Sequence, residues 1–295
     1  MSKIRQPGKV RGLKAAFDKQ HQESKRLSEA VRLDLVRGIK TFRNQINLGD
    51  VVRALITGKL DNLYNAIPWA KLGGKLAPAS DSILLAGQKA ALNAERILPK
   101  SLGLNYDIRS PQLQEYIGRR TGDLITVVQE GTLQAVRDST RRAITSGLTP
   151  QDVAEEIRGS IGLNARQAQA LSNYRNTLSA QGYSDSRIDS LADGYAERLL
   201  DQRATMIGRT EVANAINAGQ QDVWETARDK GLLPDDAKRV WIVDGDPCPE
   251  LCLPMSLVTT SLNEPWVLPN KKRVDIPSES HPHCLCIASL DIGGK

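Results

Sequence analysis

From Ser28 onward the apolar positions of the chain follow helical spacing. Val31, Leu35, Ile39, Phe42 and Ile46 recur every three or four residues and draw one apolar stripe along a helix. Asp50 reads as the cap of a second helix that runs to Ile67, where Pro68 and Trp69 stop it. Gly73, Gly74 and Pro78 read as a hinge, and Asp81 to Leu98 as a third helix closed by Pro99. After a short extended stretch at Asn105 to Ile108, Ser110 and Pro111 open a long helix. Its Leu113, Ile117, Leu124, Val128 and Ala135 advance by four, seven, four and seven, which predicts a straight strut. Thr149 as N-cap, Pro150 at the first helical position and Asp152 in the first turn start the next, with Val153, Ile157 and Ile161 on its face. Asn164 begins a helix carrying Leu171, Tyr174 and Leu178; Ser184 begins one carrying Ile188, Leu191, Tyr195 and Leu199; a last one covers Arg203 to Arg228.

Beyond Lys230 and Gly231 the helical period ceases. Arg239 to Val243, Leu257 to Leu262, Trp266 to Leu268 and Arg273 to Ile276 are β-prone and separated by Pro, Asn and Gly clusters, which predicts a small irregular sheet. The fold class expected is mainly α: a helical N-terminal and central region with a small C-terminal α+β cap closed by a Cys/His cluster. The organisation expected is a flexible basic tail over 1–27, an N-terminal helical region over 28–104, a central helical domain over 105–235, and the cap over 236–295.

Composition narrows this little. The chain has 295 residues, enough for two or three domains, and only 4% of them are aromatic, which favours thin helices rich in Ala, Leu and Ile. There is no run of eighteen apolar residues, and the polar, basic start lacks the apolar stretch of a signal peptide. A soluble protein made in a cytoplasm, with no membrane partner, is the expectation. Charge is more telling. The first 46 residues hold twelve Lys/Arg against four acids, a surplus of eight in a chain whose net charge is +6. Lys3, Arg5, Lys9, Arg11 and Lys14 are candidates to contact nucleic acid or an acidic partner surface; a solvated helix face is the equal alternative.

The candidate chemistry lies in the last fifty residues, which contain all four cysteines and two of the three histidines. Cys248, Cys252, Cys284 and Cys286 supply the four ligands of a structural zinc site, with His281 or His283 as substitutes. Disulfides between the two segments and free buried thiols are the rival readings. On a regular strand Cys284 and Cys286 would point to opposite faces, so zinc binding requires a bend near Pro282. Asp244, Asp246, His281 and His283 could be drawn as a metal-dependent nuclease and Cys284 as a thiol hydrolase. The histidine beside Cys284 is poorly placed as its base, however, and no Gly-rich phosphate loop is present, so no enzyme is expected. Upstream, Glu211 shares a stripe with Ile207 and Ala215. With Arg209, Thr210 and Asp244 it reads as a polar network tying the last helix to the cap rather than as a catalytic acid.

These elements carry a resemblance. Arg209-Thr210-Glu211 in a helix, Gly219, a Trp241 strand reaching Asp244, a cysteine pair and a closing His281-Pro282-His283-Cys284-Leu285-Cys286 resemble the C-terminal domain of phage head morphogenesis proteins, the minor-capsid family that includes the F protein of phage Mu. Gly147-Leu148-Thr149-Pro150, Ile161-Gly162-Leu163 and Arg166-Gln167-Ala168 extend the likeness over roughly residues 105 to 288. Members often have two residues between the first cysteines and a basic residue between the last two; here there are three, and Leu285. The resemblance implies a minor head protein that associates with the portal protein during procapsid assembly in the host cytoplasm and is taken into the virion. Scaffold or major capsid protein would be further partners, and DNA a partner of the N-terminal region. An ejected DNA-associated virion protein, or a nuclease carried in the virion, is the alternative.

Overall fold

The computed structural model describes residues 11–146, 149–243 and 247–292. Eight α-helices lie among them: α1 (Arg11–Arg43), α2 (Leu48–Ile56), α3 (Leu60–Asn65), α4 (Leu72–Ile97), α5 (Pro111–Ser146), α6 (Pro150–Ser160), α7 (Ala165–Ala180) and α8 (Asp185–Asp229). Five short strands follow, β1 (Lys238–Ile242), β2 (Thr259–Ser261), β3 (Trp266–Val267), β4 (Arg273–Val274) and β5 (Ile287–Asp291). The chain is thus mainly α with a small C-terminal strand region, as its periodicity predicts.

Local chemistry explains most boundaries. Asn164 and Gln167 close a reciprocal capping box at the start of α7, as Thr149 and Asp152 do at α6, each pairing two backbone N–H groups that a helix start leaves free. Ser110 Oγ accepts from the Leu113 N–H at the start of α5. Four expectations are corrected. Residues 11–27, expected as tail, are the first half of α1, because nothing there breaks a helix. Asn47 rather than Asp50 caps α2, its side chain accepting from the Gly49 and Asp50 N–H groups, and the helix stops at Thr57 and Gly58 instead of reaching Ile67. Gly73, Gly74 and Pro78 form no hinge; they lie inside α4. The two helices expected from Ser184 and Arg203 are one helix of 45 residues, since no breaker separates them.

The chain divides into two compact units. One comprises Val31–Asp81 and Gly118–Ile207. Its core takes the α1 stripe Val31, Leu35, Ile39 and Phe42, then Leu124 and Val128 of α5, Ile157 of α6, Leu171 of α7 and Leu200 of α8, all buried. The turn after α6 is fastened from three sides. Gly162 has φ +84, and a Cβ there would meet Ile39 Cγ2 at 2.5 Å. Its N–H donates to Thr132 Oγ1 and its carbonyl accepts from Arg203, while the Ile161 carbonyl accepts from Arg43. Arg43 also pairs with Glu197. Arg203 is buried and donates to the Gly162 and Val127 carbonyls, and burial brings its guanidinium down to about 10.

The other unit comprises Met1–Ala30, Ser82–Ile117 and Gly208–Lys295. Here β1 is the centre of an antiparallel sheet of order β2-β1-β5, and β3 pairs with β4 separately. The pattern of the sequence does not predict β5, whose Ala288 pairs with Trp241. One apolar core runs from Ala91 and Ala94 of α4 through Val223, Trp224 and Ala227 of α8 to Trp241, Trp266, Cys252, Cys284 and Cys286. The strands therefore share a core with helices on the other side of the boundary drawn at residue 235. Trp241 and Trp266 meet edge to face, with ring centroids 5.4 Å apart.

Candidate metal centre

Two turns deliver the donors. In the first, the Cys248 carbonyl accepts from the N–H groups of Cys252 and Leu253, winding one helical turn that turns Cys252 into the core. In the second, Cys284 N–H donates to the His281 carbonyl across Pro282 and His283. Proline suits the second position of such a turn, and His283 takes the left-handed third position at φ +66. The bend is what brings His281 and Cys284 to the same side. Residues 284–286 lie outside any strand, and Cys284 and Cys286 are both buried in the one core.

Cys252, His281 and Cys284 form a group close enough to hold a metal ion. Cys252 Sγ lies 3.7 Å from Cys284 Sγ and 3.0 Å from His281 Nε2. With a Zn–S bond of about 2.3 Å, the sulfur–sulfur edge of a tetrahedral site is about 3.8 Å, so the thiol pair already has the spacing of ligands. His281 Nδ1–H donates to the Pro282 carbonyl at 2.7 Å, which directs the Nε2 lone pair at the cluster. Ser280 Oγ stands 3.7 Å from Cys252 Sγ, and Cys284 Sγ lies 3.4 Å from the Pro277 carbonyl.

The surroundings act on the two sulfurs in opposite senses. A hydrogen bond from the Cys286 thiol, helped by Ser280, the Cys286 backbone and His281, lowers Cys284 against the opposing effect of burial. Burial, and then the charge on Cys284, raises Cys252. The two thiols of the pair are thus shifted in opposite directions. Metal ligation requires both as thiolates and the imidazole neutral; a bound dication would supply the compensating charge.

The remaining candidate residues fall elsewhere. Cys248 is half-buried, its thiol donating to Glu250 at 3.2 Å. Cys286 stays close through its hydrogen bonds to Cys252 and Cys284. His283 donates its backbone N–H to Thr210 Oγ1, and burial and Arg209 keep its imidazole toward the neutral form. Arg209 is exposed and Glu211 half-buried, while Asp244 and Asp246 lie outside the described residues. Lys3, Arg5 and Lys9 also lie outside them, as do the side chains of Arg11 and Lys14. Farther along α1, Arg26 and Arg37 pair with Glu23 and Asp34, Arg32 with Asp201, and Lys40 and Arg43 with Glu197. Much of the N-terminal positive charge is thus met by carboxylates of the same chain.

The fastening of helix to cap rests mainly on residues that the sequence reading passed over. Asn217, 1% exposed, donates Nδ2–H to Ser278 Oγ and the Cys286 carbonyl, and its Oδ1 accepts from the Ala288 N–H. Gln221, one turn on, donates to the Leu262 carbonyl and accepts from Arg239. Thr210, Asn214, Asn217 and Gln221 stand four, three and four apart, a polar stripe that could have been read as a buried seam. No protein-family model matches the chain, and neither the curated proteins nor the solved structures give a match.

Proposed function

We propose that the chain is a minor capsid protein of a tailed bacteriophage, one that docks on the portal protein during procapsid assembly and remains in the virion. In this reading a structural zinc ion at Cys252, His281 and Cys284 closes the cap. The observation that supports it is convergence: Thr210 of the Arg209-Thr210-Glu211 helix receives the His283 N–H, Gly219 lies on the same helix, and the Trp241 strand pairs with the strand that follows Cys286. Motifs far apart in the chain, which together carry the resemblance to head morphogenesis proteins, meet in one unit. Soft sulfur and imidazole donors favour zinc over magnesium or calcium. Zinc would cross-link the 252 and 281–284 segments, a closure that survives the reducing cytoplasm where a capsid is built.

The test is co-sedimentation of the full chain with the portal protein of the same genome, at low and high salt, beside the metal content of protein purified under reducing conditions. Binding that survives high salt, together with about one zinc per chain, is the expected result. Absence of binding at either salt overturns the portal role, and metal-free protein overturns the zinc site.

A further inference from the structure

The sequence leaves metal and disulfide as rivals for the cysteines; the geometry makes them two states of one pair. We propose that Cys252 and Cys284 form a reversible dithiol–disulfide couple, whose oxidation replaces a bound metal ion with a covalent link between the same two segments. The exchange of metal rests on the zinc reading above; the cross-link does not.

The sulfurs stand 3.7 Å apart, and a disulfide needs them at about 2.05 Å. Both residues lie outside the paired strands, so a closing of this gap does not have to break strand pairing. The other two thiols are held by other contacts. Cys248 is turned onto Glu250. Cys286 is anchored, its carbonyl held by Asn217 and its neighbour Ile287 paired with Ile242 in the sheet. His281 is half-exposed and adjoins Cys252, so the cluster has a solvent side through which a small oxidant can enter.

The step balances with a peroxide as oxidant. Two thiols and one hydrogen peroxide give one disulfide and two waters; the sulfurs lose two electrons and the O–O bond takes them up. Where both sulfurs ligate a divalent ion as thiolates, two protons from solvent complete the waters and the ion leaves hydrated. A disulfide sulfur is a poor metal ligand, so the two states exclude each other.

The experiment uses the full-length protein, purified reduced and then treated with hydrogen peroxide. Reactive thiols should fall from four to two per chain, any bound metal should pass to a chromophoric chelator in step, and peptide mapping without reductant should join the Cys252 and Cys284 peptides. Dithiothreitol should restore all four thiols. Cys248→Ser should leave the cross-link intact, and Cys252→Ser should abolish it. Protein that proves metal-free yet forms the link upholds the couple while refuting the zinc reading. Metal-loaded protein that loses thiols to sulfinic acid, or links another pair, overturns the couple and leaves the zinc reading standing.

Discussion

Gly219 of α8 lies against the backbone of Gly87 in α4: a Cβ built on Gly219 would fall 2.1 Å from the Gly87 carbonyl oxygen. The contact is reciprocal, since a Cβ on Gly87 would meet the Ala215 carbonyl at 3.1 Å. Two helices touching backbone to backbone have no flexible side chain that can yield. Gly219→Ala should therefore destabilise the protein by about 2 kcal/mol or more, because the helices must separate. Gly118 in α5 has open space around its Cβ position, and Gly118→Ala should stabilise by about 0.5–1 kcal/mol through helix propensity. Urea unfolding of the two variants checks both; equal effects would show that the Gly87–Gly219 contact is not tight.

Asn217 is the next test. Asn217→Leu keeps the branched outline of the side chain but leaves the Ala288 N–H and the Cys286 carbonyl without their side-chain partner in a buried setting. A loss of about 2–4 kcal/mol is expected, from two unsatisfied buried groups. Retention of the proposed metal ion against a competing chelator should fall as well, since the segment bearing Cys284 and Cys286 loses its anchor. Unchanged retention would limit Asn217 to stability.

Arg239 is buried and donates to Gln221 Oε1 and to the carbonyls of Ser261, Glu264 and Asp275, with its guanidinium 4.2 Å from the Trp266 ring centroid. One planar fork thus holds three separate segments, α8, the 261–264 turn and Asp275. Arg239→Lys retains the charge but has neither the reach nor the number of donors. It should cost about 3 kcal/mol or more, a substitution conservative in charge alone. Near-wild-type unfolding of this variant would contradict that role.

Tyr106 gives a pH dependence. Its buried hydroxyl donates to Asp222, and burial, followed by that hydrogen bond and the Asp222 charge, raises the phenol well above its ordinary value. The folded state therefore holds a proton that the unfolded state releases near pH 10. Its contribution is fully present below pH 10 and is lost as pH rises above that value, by about 1.4 kcal/mol per unit at most. Tyr106→Phe should flatten this alkaline slope. Tyrosinate absorbance rising for all six tyrosines while the fold persists would refute the shift.

The helices and many of their boundaries were legible in the sequence because they depend on neighbours three and four residues apart. The capping boxes at Thr149–Asp152 and Asn164–Gln167, and the buried stripes of α1, α5 and α6, are chemistry of that range. So was the clustering of cysteines and histidines in one C-terminal stretch, and the need for a bend near Pro282. Tertiary structure decided what local chemistry leaves degenerate. Gly73, Gly74 and Pro78 could have ended a helix, yet they lie within α4. Gly219 is required by a carbonyl 132 positions earlier in the chain, which no local pattern encodes. Among six candidate Cys and His residues, Cys252, His281 and Cys284 form the group, while Cys248 turns to Glu250 and His283 to Thr210. Residue types announce that a metal or disulfide can form; only the positions of the sulfurs, set by Asn217, Arg239 and the paired strands, select which of them meet.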